Sequence, residues 1–137
     1  MVEINNKTSY LIKEAFLKKI AQKILKDFNK KPGKGKSLSI ALVLPKEIQK
    51  LNKKYRKKNR PTDVLSFEGQ NNELGEVIIC PAILKINAKK YQASFKKELE
   101  RVLIHGILHL LGYDHEKSER AAQEMQKKEK YYINKIT

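Results

Sequence analysis

Residues 99–111 constrain the fold more than any other stretch. Leu99, Val102, Leu103, Ile104, Ile107, Leu108, Leu110 and Leu111 would surround the axis of a helix almost completely. A helix that is apolar on nearly every side has to be covered on nearly every side. The spacing predicts a helix over 94–111 that crosses the middle of the protein, with the other elements wrapped around it. Two imidazoles interrupt the apolar run, His105 and His109. They stand one helical turn apart and so share a face.

The remaining segments read as cover for that helix. Thr8 or Ser9 can cap a long amphipathic helix with Leu11, Ile12, Ala15, Phe16, Ile20, Ile24, Leu25 and Phe28 at three-to-four spacing, which Pro32, Gly33 and Gly35 stop. Residues 38–44 read as a buried strand ending at Pro45. A helix over 46–58 follows, with Ile48, Leu51 and Tyr55 on one face and its end set by Pro61. Residues 63–67 and 76–80 are strand candidates separated by a turn, Pro81 opens a helix to 91, and 118–136 form a last, charged helix. Residues 1–5 are too short to classify. With no repeat, linker or composition boundary, the 137 residues are expected to form one domain, which at this length buries roughly two-thirds of its unfolded surface.

All three histidines of the chain, His105, His109 and His115, fall within eleven residues as His-x3-His-x5-His. The helical pair can reach one ion at ~2.0–2.1 Å, and Gly112, able to turn the chain sharply, can return His115 as a third ligand. Three neutral nitrogens leave one tetrahedral position open, the pattern of a catalytic zinc site. The run also matches the metzincin peptidase pattern His-Glu-x-x-His-x-x-Gly-x-x-His at every named position but one, because Gly106 stands where the glutamate base belongs. Glu98, two turns earlier, and Asp114, beside His115, are the carboxylates available as base or as partners of the ligands.

Charge supplies a second constraint. Of 30 Lys and Arg, 18 lie in residues 1–60 against 4 acidic groups, whereas 61–137 hold 12 against 11. Such a field suits a polyanion, nucleic acid or an anionic membrane surface, unless it is merely a solvated lysine-rich face. Only four arginines occur, two of them Arg56 and Arg60 next to the strand at 63–67. A guanidinium there can grip phosphate bidentately. The lone Cys80 excludes an internal disulfide framework. The first twenty residues lack the apolar core of about 7–15 residues of a signal peptide, and the longest apolar run, 40–44, falls far short of the ~20 residues of a membrane span. A reducing cytoplasm is the expected compartment, with no membrane partner.

These segments together resemble the YbeY family of bacterial endoribonucleases, or rRNA maturation factors. The resemblance rests on His105-Gly106-Ile107-Leu108-His109-Leu110-Leu111-Gly112-Tyr113-Asp114-His115, on Tyr55-Arg56 with Pro61-Thr62-Asp63-Val64-Leu65-Ser66-Phe67, and on Leu74-Gly75-Glu76-Val77-Ile78-Ile79. It implies an α+β fold in which a small mixed sheet packs with helices around a central histidine-bearing helix carrying a zincin-like metal site. It implies one zinc on His105, His109 and His115 and an essential arginine at Arg56, these four being the catalytic set. The implied activity is cleavage of single-stranded RNA at the 3′ end of small-subunit ribosomal RNA, and ribosome quality control. The implied partners are ribosomal RNA, the small ribosomal subunit, a ribosomal protein and an assembly GTPase. The competing readings of the same residues are a zinc metallopeptidase without its glutamate and a non-catalytic ribosome-binding zinc module.

Overall fold

A computed structural model describes residues 1–28 and 36–136. The helix-stopping residues Pro32, Gly33 and Gly35 lie outside the described residues. The chain runs β1 (Val2–Asn6), α1 (Glu14–Phe28), β2 (Ser37–Leu42), α2 (Pro45–Arg56), β3 (Val64–Glu68), β4 (Glu73–Ile79), α3 (Pro81–Lys90), α4 (Phe95–Leu110) and α5 (Glu119–Ile136). It is an α+β arrangement, a mixed four-stranded sheet of order β1-β2-β4-β3 packed with five helices. The strands β1, β2 and β4 are parallel, and β3 joins the edge antiparallel to β4.

Strand alternation sorts the core into two layers. Leu38, Ile40 and Leu42 of β2 and Val77 and Ile79 of β4 meet the apolar faces of α1, α4 and α5. Ala41, Leu65 and Ile78 face the other way, onto Ile48 and Leu51 of α2 and Ala82 and Ile83 of α3. Cys80, free and buried in this second layer, has its thiol pushed up by burial. The all-round apolar helix is α4, capped by Ser94, whose Oγ accepts the Lys97 N–H. Its Val102, Leu103, Ile104, Ile107 and Leu108 are buried, and it contacts α1, α3, α5, β3 and β4. No helix among the described residues is long and apolar enough to cross a membrane.

Several boundaries differ from the expected ones. The terminal segment left unclassified is β1, whose Val2 and Ile4 alternate with polar residues and pack once β2 lies beside them. The first helix starts at Glu14, after Ser9, because Thr8 is used in a turn: Asn6 Oδ1 accepts its N–H and hydroxyl at 2.9 and 2.7 Å. Leu11 is consequently fully exposed. The second helix ends at Arg56, before Pro61, where Lys57 takes a left-handed conformation (φ 58°) and donates its N–H to the Asn52 carbonyl.

Helix α4 lies close against the sheet at Gly106. A Cβ there would sit 2.9 Å from Val77 Cγ1 and 3.1 Å from Ser66 Oγ. The Ser66 hydroxyl donates to the Gly106 carbonyl at 3.2 Å. Helix α5 docks on α4 through the buried Met125 and Tyr132, and the Tyr132 hydroxyl donates to Asp27 Oδ2 at 2.7 Å.

Two stability predictions follow from these contacts. Gly106→Ala overpacks a β-branched wall, costing about 1–3 kcal/mol, against up to ~1 kcal/mol that Ala gains over Gly in a helix. Urea unfolding should show a lower midpoint at unchanged slope. Burial, then the bond to Asp27, raises the Tyr132 phenol above its ordinary value of 10.0. Above that pH the unfolded chain loses the proton while the folded chain keeps it, so stability falls as pH rises. Unfolding followed through this range should show a shallower decline in Tyr132→Phe than in the wild type.

Candidate active site

The end of α4 turns on a glycine. Leu111 closes the helix, Gly112 takes φ 102°, and the Gly112 and Tyr113 N–H groups bond the His109 and Leu108 carbonyls at 3.1 Å each. A Cβ on Gly112 would meet nothing within 4 Å, so the backbone angle and not space calls for glycine. Phe28 braces the turn, its ring edge-on to Tyr113 at 6.2 Å. Asp114 Oδ1 accepts the Glu116 N–H at 2.9 Å and shapes the next bend. The chain thereby returns His115 to α4, with its ring 5.2 Å from that of His105, centre to centre.

His105 has a partner that the sequence reading missed. Its Nδ1 lies 3.0 Å from Glu129 Oε1 on α5. A carboxylate only accepts, so in the neutral imidazole Nδ1 carries the hydrogen and Nε2 is left as a lone-pair donor. Nothing local marks Glu129, one of several charged residues on an amphipathic helix; only the packing of α5 on α4 reveals it. The expectation for Glu98 is corrected. It is buried on α4 but engaged by Arg101, whose Nε and Nη2 donate to its two oxygens at 3.1 and 3.0 Å. That fork raises the Arg101 guanidinium and engages both Glu98 oxygens.

The histidines share a cleft with three cations. An open cleft of ≈ 620 Å³ is lined by His105, His109, His115, Asp114 and Glu116 together with Arg56, Lys58, Arg60, Thr62 and Ser66. Arg56 ends α2 and donates Nη2 to the Ser66 carbonyl at 2.8 Å, its guanidinium 5.3 Å from the Phe67 ring centre. The buried Asn52, a second residue missed by sequence, donates Nδ2 to the Arg60 carbonyl at 2.9 Å, while its own carbonyl accepts the Lys58 N–H at 3.2 Å. It pins the loop that presents Lys58 and Arg60. All four residues expected to act together, Arg56, His105, His109 and His115, thus line one cleft. Among the described residues no three His, Cys, Asp or Glu side chains converge as a ready metal cage.

The chain is similar to known proteins over most of its length. The family model described as Endoribonuclease YbeY matches residues 3–137. A Thermotoga petrophila protein of that description is 44% identical over 100 residues, which are 72% of this chain and 67% of the relative. A Sulfurihydrogenibium protein with the same description is 39% identical over 132 residues, 92% of this chain and 85% of its own. The solution structure of a Thermotoga maritima protein superimposes with a TM-score of 0.70 at 36% identity, covering 99% of this chain and 89% of that one.

Proposed function

Because this chain belongs to the endoribonuclease YbeY family, and is therefore a metal-dependent enzyme that cuts RNA, we propose that it is a single-domain, zinc-dependent, single-strand-specific endoribonuclease of the cytoplasm. Its proposed task is maturation of the 3′ end of small-subunit ribosomal RNA and ribosome quality control. The partners on this reading are ribosomal RNA, the small subunit, a ribosomal protein and an assembly GTPase. One observation carries the chemistry: Arg56, Lys58 and Arg60 line the same open cleft as the three histidines.

The donor set fits zinc, being three imidazoles of which one already has Nδ1 committed to a carboxylate and Nε2 free. A zinc ion held by His105, His109 and His115 would supply Lewis acidity to a phosphodiester oxygen. The chain's own residues do the rest. Glu129 fixes the ring and tautomer of His105. Arg56, with one of its five N–H groups spent on Ser66, keeps donors for the scissile phosphate and stabilises the charge that grows on it in the transition state. The Ser66 carbonyl and the Phe67 ring hold that guanidinium in place before substrate arrives. Lys58 and Arg60 neutralise neighbouring phosphates. The Gly106 position has no room for a glutamate base, so the cleft carboxylates Asp114 and Glu116 are the groups placed to hold a proton, whether the nucleophile is water or the RNA 2′-hydroxyl.

Elemental analysis should find about one zinc per chain, and His109→Ala should lose it. Glu129→Gln should weaken zinc binding by roughly 10–100-fold in a chelator competition while the urea midpoint stays close to wild type. A wild-type protein that takes up no zinc ends the metal assignment. Under single turnover with saturating protein, Arg56→Ala should slow cleavage of labelled single-stranded RNA by something on the order of 10²–10³-fold with zinc content intact. Arg56→Lys should recover little, since a point charge does not reproduce the planar fork. A rate equal to wild type would remove Arg56 from the chemistry.

A further inference from the structure

The last turn of α2 carries an aromatic ring that the core does not need. Ile48 and Leu51 already cover the sheet on that side, yet Tyr55 follows them with 52% of its surface exposed. Its ring meets the edge of Phe67 at 5.1 Å and 65°, so a partly buried residue of β3 buttresses it. The Lys54 ammonium lies 5.2 Å from the Tyr55 ring centre. The same Phe67 ring stands 5.3 Å from the Arg56 guanidinium, and Arg56 lines the cleft. Tyr55, Phe67 and Arg56 therefore form a continuous strip from solvent, over the edge strand β3, to the cleft.

We propose that Tyr55 is a nucleobase platform: an unpaired base next to the phosphate held by Arg56 leaves the cleft over β3 and stacks on the exposed ring. This rests on the reading of the cleft as the RNA-cutting site and adds a determinant of strand specificity to it. Bases stack on aromatic side chains without regard to sequence, because each presents a π-face. Lys53, Lys54, Lys57 and Lys58 flank the ring along the chain and hold the phosphates on either side of such a base. A paired base cannot reach Tyr55 without being unstacked from its helix, so the platform favours single strands at a site that reads no base edge.

Single-turnover cleavage at varied protein concentration separates affinity from rate. Tyr55→Leu keeps an apolar side chain against Phe67 and should raise the half-saturating concentration about 5–100-fold, with the saturated rate changed far less. Tyr55→Phe keeps the ring and should match the wild type. An abasic nucleotide placed in turn at each position flanking the cut should, at one position, weaken the wild type to the level of Tyr55→Leu and leave Tyr55→Leu unaffected. Unfolding midpoint and zinc content of each variant report whether the fold and the centre are intact. Cleavage by the wild type with Tyr55→Leu equally tight overturns the platform alone, as does a Tyr55→Leu defect that no abasic position reproduces. A wild type that cuts no single-stranded RNA overturns the nuclease reading as well.

Discussion

The contact on which the rest depends is the approach of the α4 backbone to the sheet at Gly106. With no side chain there, the helix settles against Val77 of β4, and the Ser66 hydroxyl of β3 reaches the Gly106 carbonyl. His105 and His109 flank that glycine along the helix, so the depth of this one contact sets how far both imidazoles stand from strand β3. The same strand residue also holds the arginine, because the Ser66 carbonyl accepts from the Arg56 guanidinium. Ser66 thus ties the histidine helix with its hydroxyl and the arginine with its backbone. Few single residues could couple the two so directly.

Around that contact the site is assembled from short devices, each with a local cause. A glycine at positive φ returns His115, a left-handed Lys57 ends α2 at Arg56, and a buried asparagine holds the loop between them and β3. Three helices and an edge strand supply it, joined by connections of seven residues between α2 and β3 and eight between α4 and α5, each held by local bonds. The backbone that carries these side chains is held by such local bonds before any substrate binds, so less binding energy is spent on ordering it.

Much of this was legible in the sequence. The all-round apolar pattern identifies α4, short apolar runs bounded by prolines and turn residues mark β2, β3 and β4, and the histidine spacing with Gly112 locates the turn that α4 makes at its end. What stayed hidden depended on partners distant in sequence. β1 shows its alternation only when β2 lies beside it, and Thr8, a good cap by residue type, is claimed by Asn6. Pro61 looked like the stop of α2, but the capping bond between Lys57 and Asn52 acts first. Glu98 has the right spacing on the right helix, and Arg101 takes it; Glu129 has no signature at all and holds His105 from another helix. Spacing along one element reveals which residues can meet, while the choice among carboxylates is made by helix packing.

The position of Glu129 also bears on the order in which the protein comes into being. The sheet, α4 and the Gly112 turn are complete in sequence before α5 begins, and the carboxylate that holds His105 comes more than two turns into α5. A growing chain that has already collapsed around its apolar helix carries histidines whose orientation is not yet set. Docking of α5, sealed by Met125 and by Tyr132 on Asp27, is the step that sets it. The fold therefore delays the finished centre until the final helix has been made, and a fragment ending before α5 retains the three imidazoles and the arginine without the brace that orders them.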